Sequence, residues 1–443
     1  MNDGATEFGA TSLRTREIRV PYDKEIVFLV PVSELGKEPE LSIVIPAMNE
    51  ELSIAEFIDW CHAGITNSEV AAELIIVDSS TDLTANIALG KGACVLKSPK
   101  RGLGRAYIDA IPFVRGRFVL MGDADCTYDF RHLQHFMERF RQGYEFIMGS
   151  RFSGSIEAGA MPALHRYFGT PLTGAILNLI YGTNFSDIHC GMRGLTLSAL
   201  KAMNLQSQSW EYASEMIVKS VRLGLRSTEI PIDFYRGREG RLSHHRRNGW
   251  FSPWAAGWVN LKSMLVGAAD FFLITPGLLL FGIGLLLLLA LVGGPIRIGN
   301  ITLSLNTMLL GVTLSVVGLQ AYLLGGIARC LYDLLGHHRR RWMEAFAYTR
   351  TMMISGLMFV SGLWLTGDFV GRYVSAGYVV LPGLVPYNHR AVFGLFLVIV
   401  AFQTFVFTLL VHGVSGFAPL PSVQGFSGRL DRRAWEEGAE CQR

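Results

Sequence analysis

Four long apolar stretches, at residues 271–292, 303–327, 352–374 and 391–412, fill most of the second half of the chain. Each reaches the roughly 20 residues that an α-helix needs to cross the hydrocarbon layer of a bilayer. One such stretch can be a buried helix of a soluble core, but four in succession predict a membrane domain. Glycine recurs inside them, as it does in helices of membrane proteins. Hydrophobic residues make up 50% of the 443 and charged residues only 17%, against about 25% charged in a soluble domain. The imbalance is local. Up to about residue 267 polar and apolar segments alternate, so the totals average a soluble part with a membrane part.

The basic residues of the short connections set an expected orientation. Residues 328–351 hold Arg329, His337, His338, Arg339, Arg340, Arg341 and Arg350, whereas residues 293–302 hold only Arg297. The excess of positive charge places the first connection in the cytoplasm and the second outside. Four crossings then put both flanking parts on the cytoplasmic side of an integral membrane protein, with the plasma membrane as the expected location. The first nineteen residues are polar and charged and lack the apolar core of a signal peptide, which agrees with a cytoplasmic N-terminal domain. Residues 339–351, with Trp342, Phe346 and Tyr348 among cations, read as an interfacial helix. Residues 252–266, with Trp254, Trp258, Leu261 and Leu265 on one face, fit either a second interfacial helix or amphipathic core packing.

The net charge of +3 excludes little. Local basic clusters at 236–247 and 337–341 have no nucleic-acid recognition fold beside them, so they point to lipid headgroups or lipid phosphates and not to nucleic acid. The six cysteines are scattered without a CxxC pair, as expected of free thiols in a reducing compartment.

In the first half, residues 41–46, 73–78, 92–96 and 118–122 are short apolar runs ending in polar turns, with a helical segment after the first. Runs of this kind are buried strands, and strands separated by helices imply a mostly parallel sheet whose ligands bind beyond the carboxyl ends of the strands. Asn49, Asp78 and Asp123 all fall at such ends. Residues before about Pro39 show little periodicity and read as an extension. The sharpest motif is Gly122-Asp123-Ala124-Asp125. Two carboxylates one residue apart at a strand tip suit a hard divalent cation that also binds a diphosphate. Arg101-Gly102-Leu103-Gly104 is a basic glycine-rich turn opening a helix, whose backbone amides are placed to meet phosphate.

Taken in order, Ile45-Pro46-Ala47-Met48-Asn49-Glu50, Val77-Asp78-Ser79-Ser80-Thr81-Asp82, Arg101-Gly102-Leu103-Gly104 and Gly122-Asp123-Ala124-Asp125 resemble the family-2 glycosyltransferases of GT-A fold, specifically the dolichyl- and polyprenyl-phosphate sugar synthases. The resemblance runs from about Leu41 to Gly267. It implies a Rossmann-like α/β GT-A domain followed by an all-α membrane domain of four transmembrane helices. The expected division is an extension (1–40), the GT-A domain (41–250), an amphipathic juxtamembrane segment (251–270), the transmembrane domain (271–412) with its cytoplasmic interfacial loop (328–351), and a cytoplasmic tail (413–443).

Carried over residue by residue, the resemblance implies that Pro46, Met48, Glu50, Asp78, Gly102 and Asp123 bind the nucleotide sugar. Asp123 and Asp125 would hold Mg2+ or Mn2+. Asp125, Arg151, Asp187 and Glu215 would form the catalytic set, with Arg151, Arg238 and Arg241 as acceptor-phosphate ligands. The implied reaction is an inverting transfer of mannose or glucose from a GDP- or UDP-linked donor to a polyprenyl or dolichyl phosphate; a homo-oligomer is also compatible. A lipid monophosphate is already ionised at neutral pH, so the reaction calls for alignment and charge stabilisation more than for a strong base. The alternatives are a processive polysaccharide synthase, a transferase acting on a neutral lipid, and a membrane scaffold or lipid translocator with a degenerate transferase domain. Against the first, Gln206-Ser207-Gln208-Ser209-Trp210 lacks the arginine of the Gln-x-x-Arg-Trp acceptor motif. Against the last stand the intact aspartates.

Overall fold

The computed structural model describes residues 15–20, 23–237, 267–333, 336–379 and 385–417, with isolated positions at 258, 262 and 265. The chain divides into two compact units, Met1–Leu265 with Val423–Arg443, and Val266–Ser422.

The first unit is built on a nine-stranded sheet. Its strands are β1 (Thr15–Val20), β2 (Asp23–Pro31), β3 (Leu41–Ala47), β4 (Ala72–Asp78), β5 (Cys94–Lys97), β6 (Phe118–Met121), β7 (Phe146–Ser150), β8 (Arg193–Thr196) and β9 (Ser227–Pro231). Their order is β1-β2-β5-β4-β3-β6-β8-β7-β9. The centre, β5-β4-β3-β6, is parallel. Strand β8 runs antiparallel to both β6 and β7. Helices α1 (Ile54–Asn67), α2 (Thr84–Gly90), α3 (Leu103–Ala110), α4 (Gln134–Arg141), α5 (Thr170–Tyr181), α6 (Leu197–Met203) and α7 (Tyr212–Arg222) connect the strands.

Successive residues of the central strands face opposite sides, and both sides are apolar because both are covered. Ile43, Ile45, Leu74 and Ile76 join Phe57, Phe130 and Phe136 in one core. Val44, Ile75 and Val77 join Tyr107, Phe113, Met216 and Ile217 in the other. Strand β3 pairs with β4 as far as Ala47 opposite Asp78, but with β6 only as far as Val44 opposite Met121. Pro46 therefore lies where β3 has outrun one neighbour, a place in a central strand that tolerates a residue without an N–H.

The start of the chain differs from the expectation of an extension without periodicity. Strands β1 and β2 form an antiparallel hairpin that extends the sheet beyond β5. Ile26, Phe28 and Val30 are buried in its core. The five described cysteines are buried and form no disulfide among the described residues.

The second unit is helical: α8 (Ala269–Leu291), α9 (Leu305–Leu331), α10 (His337–Ala345), α11 (Tyr348–Ser375) and α12 (Val385–Phe417), with a two-stranded ribbon, Ile296–Ile298 against Ile301–Leu303, between the first two. Four of the helices are long and apolar enough to cross a membrane, as the sequence predicts. Close packing relies on small residues. A Cβ on Gly284 would stand 2.5 Å from Gly311 O, and one on Gly362 would stand 2.5 Å from Gly394 O. Residues 339–351, expected to form one interfacial helix, divide between α10 and the start of α11, and Trp342 of α10 packs on Tyr322 and Phe407. Asp368 pairs at 3.1 Å with Arg372, one turn further along α11, and both are exposed. The expected amphipathic segment at 251–270 falls almost wholly outside the described residues.

Candidate active site

Two strand-end turns are laced together at the carboxyl end of the sheet. Ser79 N donates to Ala47 O at 3.1 Å, Asn49 N to Ser80 Oγ at 2.8 Å, and Thr81 N to Asn49 Oδ1 at 2.9 Å. Asn49 takes φ +58°, a left-handed conformation that asparagine accepts more readily than most residues. Glu50 N donates to Thr84 Oγ1 at 2.9 Å, and the buried Glu50 carboxylate accepts from Ser53 Oγ at 3.0 Å. Asp78 is 5% exposed. Burial pushes its carboxyl above the usual carboxylate range, against the opposing effect of the Ser80 hydrogen bonds. Pro46 and Met48 are half-buried on the same rim, so these four residues share one edge.

The aspartate pair follows β6 directly. The buried Tyr107 hydroxyl, from α3, donates to Gly122 O at 2.9 Å and fixes the strand tip. Asp123 is half-buried, and its carboxylate lies against Gly191: a Cβ there would stand 2.8 Å from Asp123 Oδ2. Its charge reaches the buried Tyr107, Tyr128 and Tyr212, whose phenols are raised first by burial. Asp125 Oδ1 accepts from both Thr127 N and Thr127 Oγ1. Two half-buried carboxylates on a pinned turn fit a hard divalent cation. Among the described residues no group of three His, Cys, Asp or Glu residues could hold a metal ion.

Gly102 opens α3 at φ +113°, a conformation L side chains rarely adopt, and a Cβ there would stand 2.2 Å from Gln208 O. The Arg101 side chain pairs with Asp23 and Glu25 of β2, which leaves the backbone amides of this turn as the groups suited to an anion.

Three of the expected catalytic residues are engaged with partners inside the protein. Arg151 donates from Nε to Asp187 Oδ2 at 2.6 Å and from Nη2 to Asp187 Oδ1 at 2.8 Å, both residues being buried. A guanidinium and carboxylate engaged in this bidentate way hold each other, so the structure shows Arg151 and Asp187 as a buried pair. Glu215 accepts from Gln206 N and Ser207 N at 3.0 and 2.9 Å and pairs with Lys219 at 2.6 Å. It therefore shapes the 206–208 loop that abuts Gly102 and Gly104.

Arg193 was not expected to matter. It is 1% exposed, and it donates to Cys190 O at 2.9 Å, Ile188 O at 2.8 Å and Ala213 O at 2.6 Å, shaping the turn that carries Gly191. Its position next to Gly191-Met192, at the head of an apolar strand, was the available signal. Arg236 begins the expected phosphate loop. Tyr235 N donates to Thr127 O at 2.8 Å, so this segment leaves the sheet two residues from Asp125. Arg238 and Arg241 lie outside the described residues.

Two results are expected from this geometry. Gly191→Ala should displace the Asp123 carboxylate and lower turnover about ten- to a hundredfold, while leaving thermal melting near wild type, because the clash falls on a side-chain tip. His189 is the second case. Burial, helped by Arg151, Arg193 and His165, outweighs Asp187 and brings its pKa down to about 4. Its neutral form therefore contributes stability that is present above the unfolded value of about 6.5 and is lost as pH falls through about 4. Melting temperature measured from pH 7 to 4 should fall less in His189→Gln than in wild type.

The profile of glycosyl transferase family 2 matches residues 42–203, and that of the family 2 C-terminal transmembrane region matches residues 327–415. The low-salt glycan biosynthesis hexosyltransferase Agl6 of Haloferax volcanii is 35% identical over 349 residues, covering 78% of this chain and 82% of that one. The chain belongs to glycosyltransferase family 2. This glycosyltransferase is also similar to the dolichyl-phosphate hexose transferase of the same organism, at 28% identity over 51% of this chain and 92% of that one. A crystal structure of glucosyl-3-phosphoglycerate synthase from Mycobacterium tuberculosis, solved with Mn2+ and UDP-glucose, compares at TM-score 0.39 and 20% identity, covering 52% of this chain and 79% of that one. The enzyme is thus a family-2 glycosyltransferase with a membrane region.

Proposed function

We propose that this glycosyltransferase transfers a hexose, mannose or glucose, from a GDP- or UDP-linked donor to a polyprenyl or dolichyl phosphate at the cytoplasmic face of the plasma membrane, with inversion. The observation that carries the reading is the seating of Tyr235 on Thr127, which starts the basic segment 236–247 beside the aspartate pair. In sequence that segment also leads directly towards the membrane helices. The likeness to a dolichyl-phosphate hexose transferase supports the same acceptor class.

In this reading Pro46, Met48, Glu50 and Asp78 line the nucleoside pocket, and the Gly102 turn faces phosphate with its amides. Asp123 and Asp125 would hold Mg2+ or Mn2+. A bound cation would offset the charge that develops on the leaving diphosphate. Arg238 and Arg241 would orient the acceptor phosphate, whose own ionised oxygen is the nucleophile, so no strong base is needed. The Arg151–Asp187 pair, Arg193 and Glu215 keep the surrounding turns in place.

Purified protein incubated with polyprenyl phosphate and a panel of nucleotide sugars, with and without Mn2+, should yield one lipid-linked hexose identifiable by mass, and only with metal. Nucleotide hydrolysis with no lipid product across the panel would refute the acceptor assignment.

A further inference from the structure

Strand β2 presents Asp23 and Glu25, two positions apart and therefore on one face of the strand, to the guanidinium of Arg101. The strand beneath them is firmly held. Ile26, Phe28 and Val30 are at most 1% exposed, Phe28 and Phe113 have ring centroids 4.7 Å apart, and β2 pairs with β5 from Val27 opposite Lys97 to Leu29 opposite Val95. Arg105, one turn into α3, is paired with Asp109 at 2.6 Å and adds its positive field at Asp23.

Arg101 is the residue before Gly102, so whatever fixes its guanidinium fixes the entry of α3. The other side of that entry is fixed as well. Arg105 N donates to Gln208 O at 3.1 Å, and Glu215 holds the backbone of Gln206 and Ser207. From this gripped entry α3 runs to Tyr107, whose hydroxyl holds the carbonyl of Gly122, the residue before Asp123.

We infer that the N-terminal hairpin positions the donor site: through Asp23 and Glu25 it anchors Arg101, and thereby sets the Gly102 turn and, along α3, the strand tip that carries Asp123. Arg101 is in this sense a positioning residue, not a phosphate ligand. The inference rests on the reading of the strand-end turns as a nucleotide-sugar site. Ion pairs at this exposure add little to stability, so the hold acts on geometry and its loss shows in donor use before it shows in melting.

The full-length enzyme in detergent tests this with Asp23→Asn/Glu25→Gln, with Arg101→Ala, and with the reversed set Asp23→Arg/Glu25→Gln/Arg101→Asp. Donor KM, kcat, the Mn2+ concentration for half-maximal transfer, and thermal melting are read for each. The first two variants should raise donor KM about five- to tenfold and shift the Mn2+ requirement upward, with melting unchanged, and the reversed set should recover most of the donor KM. A wild-type donor KM and Mn2+ requirement in the first two variants overturns the inference. So does a loss of affinity that tracks a fall in melting and is not recovered by the reversed set. Asp123→Asn serves as the control: if it too leaves transfer intact, the donor-site reading has failed; if it abolishes transfer while the hairpin variants behave as wild type, only the hairpin's role has.

Discussion

Asp123→Asn is expected to reduce lipid-linked sugar formation by at least about a hundredfold, with Asp125→Asn similar in size. Each exchange is isosteric and removes one negative charge from a turn whose strand tip Tyr107 holds at Gly122 independently of both side chains, and an amide oxygen at position 125 can still accept from Thr127. The fold has little reason to respond, so melting should stay near wild type while the Mn2+ needed for activity rises beyond a usable range. Full transfer by both variants, measured as lipid product by mass, would remove the aspartates from the chemistry, whereas the reading of a scaffold with a degenerate transferase domain requires that the unaltered protein itself forms no lipid-linked sugar.

The second large effect is on stability. Asp187→Ala leaves the Arg151 guanidinium 8% exposed with its bidentate partner gone. Removing one member of a buried pair typically costs about 3–5 kcal/mol, because the remaining charge is stranded away from water. Arg151→Met should cost a similar amount. The double variant Arg151→Met/Asp187→Leu should cost less than either single change, since no charge is then left buried. Chemical unfolding followed by fluorescence reads this directly. If the single changes leave unfolding untouched and abolish transfer, the pair acts on substrate and not on the fold.

Much of this architecture is legible in the sequence for one physical reason: elements buried on all sides show as unbroken apolar runs. That holds for β3, β4 and β6, which are covered on both faces; the four long helices show in the same way because they are long and apolar enough to cross a membrane. Strand β2 carries the same signal, the unbroken apolar run from Ile26 to Val30, but three charged residues, Asp23, Lys24 and Glu25, open it, and the expectation of an extension passed over it. At the site, Asp123 and Asp125 are visible because they follow an apolar strand within one stretch of chain. The commitment of Arg151 to Asp187 is not visible, since residues far apart in sequence are paired only by the fold. Arg193 is hidden for a related reason. Its partners are backbone carbonyls, and any residue type supplies those.

The hairpin also governs how the sheet ends. Without it, β5 would offer an open row of N–H and C=O groups to any passing strand. With it, the margin on that side, among the described residues, is β1, where Arg16, Glu17 and Arg19 crowd charge onto a short strand. Charged, short outer strands discourage the edge-to-edge addition that seeds aggregation. In a chain that must wait for a bilayer before its apolar half is covered, a margin that repels other strands limits self-association during synthesis.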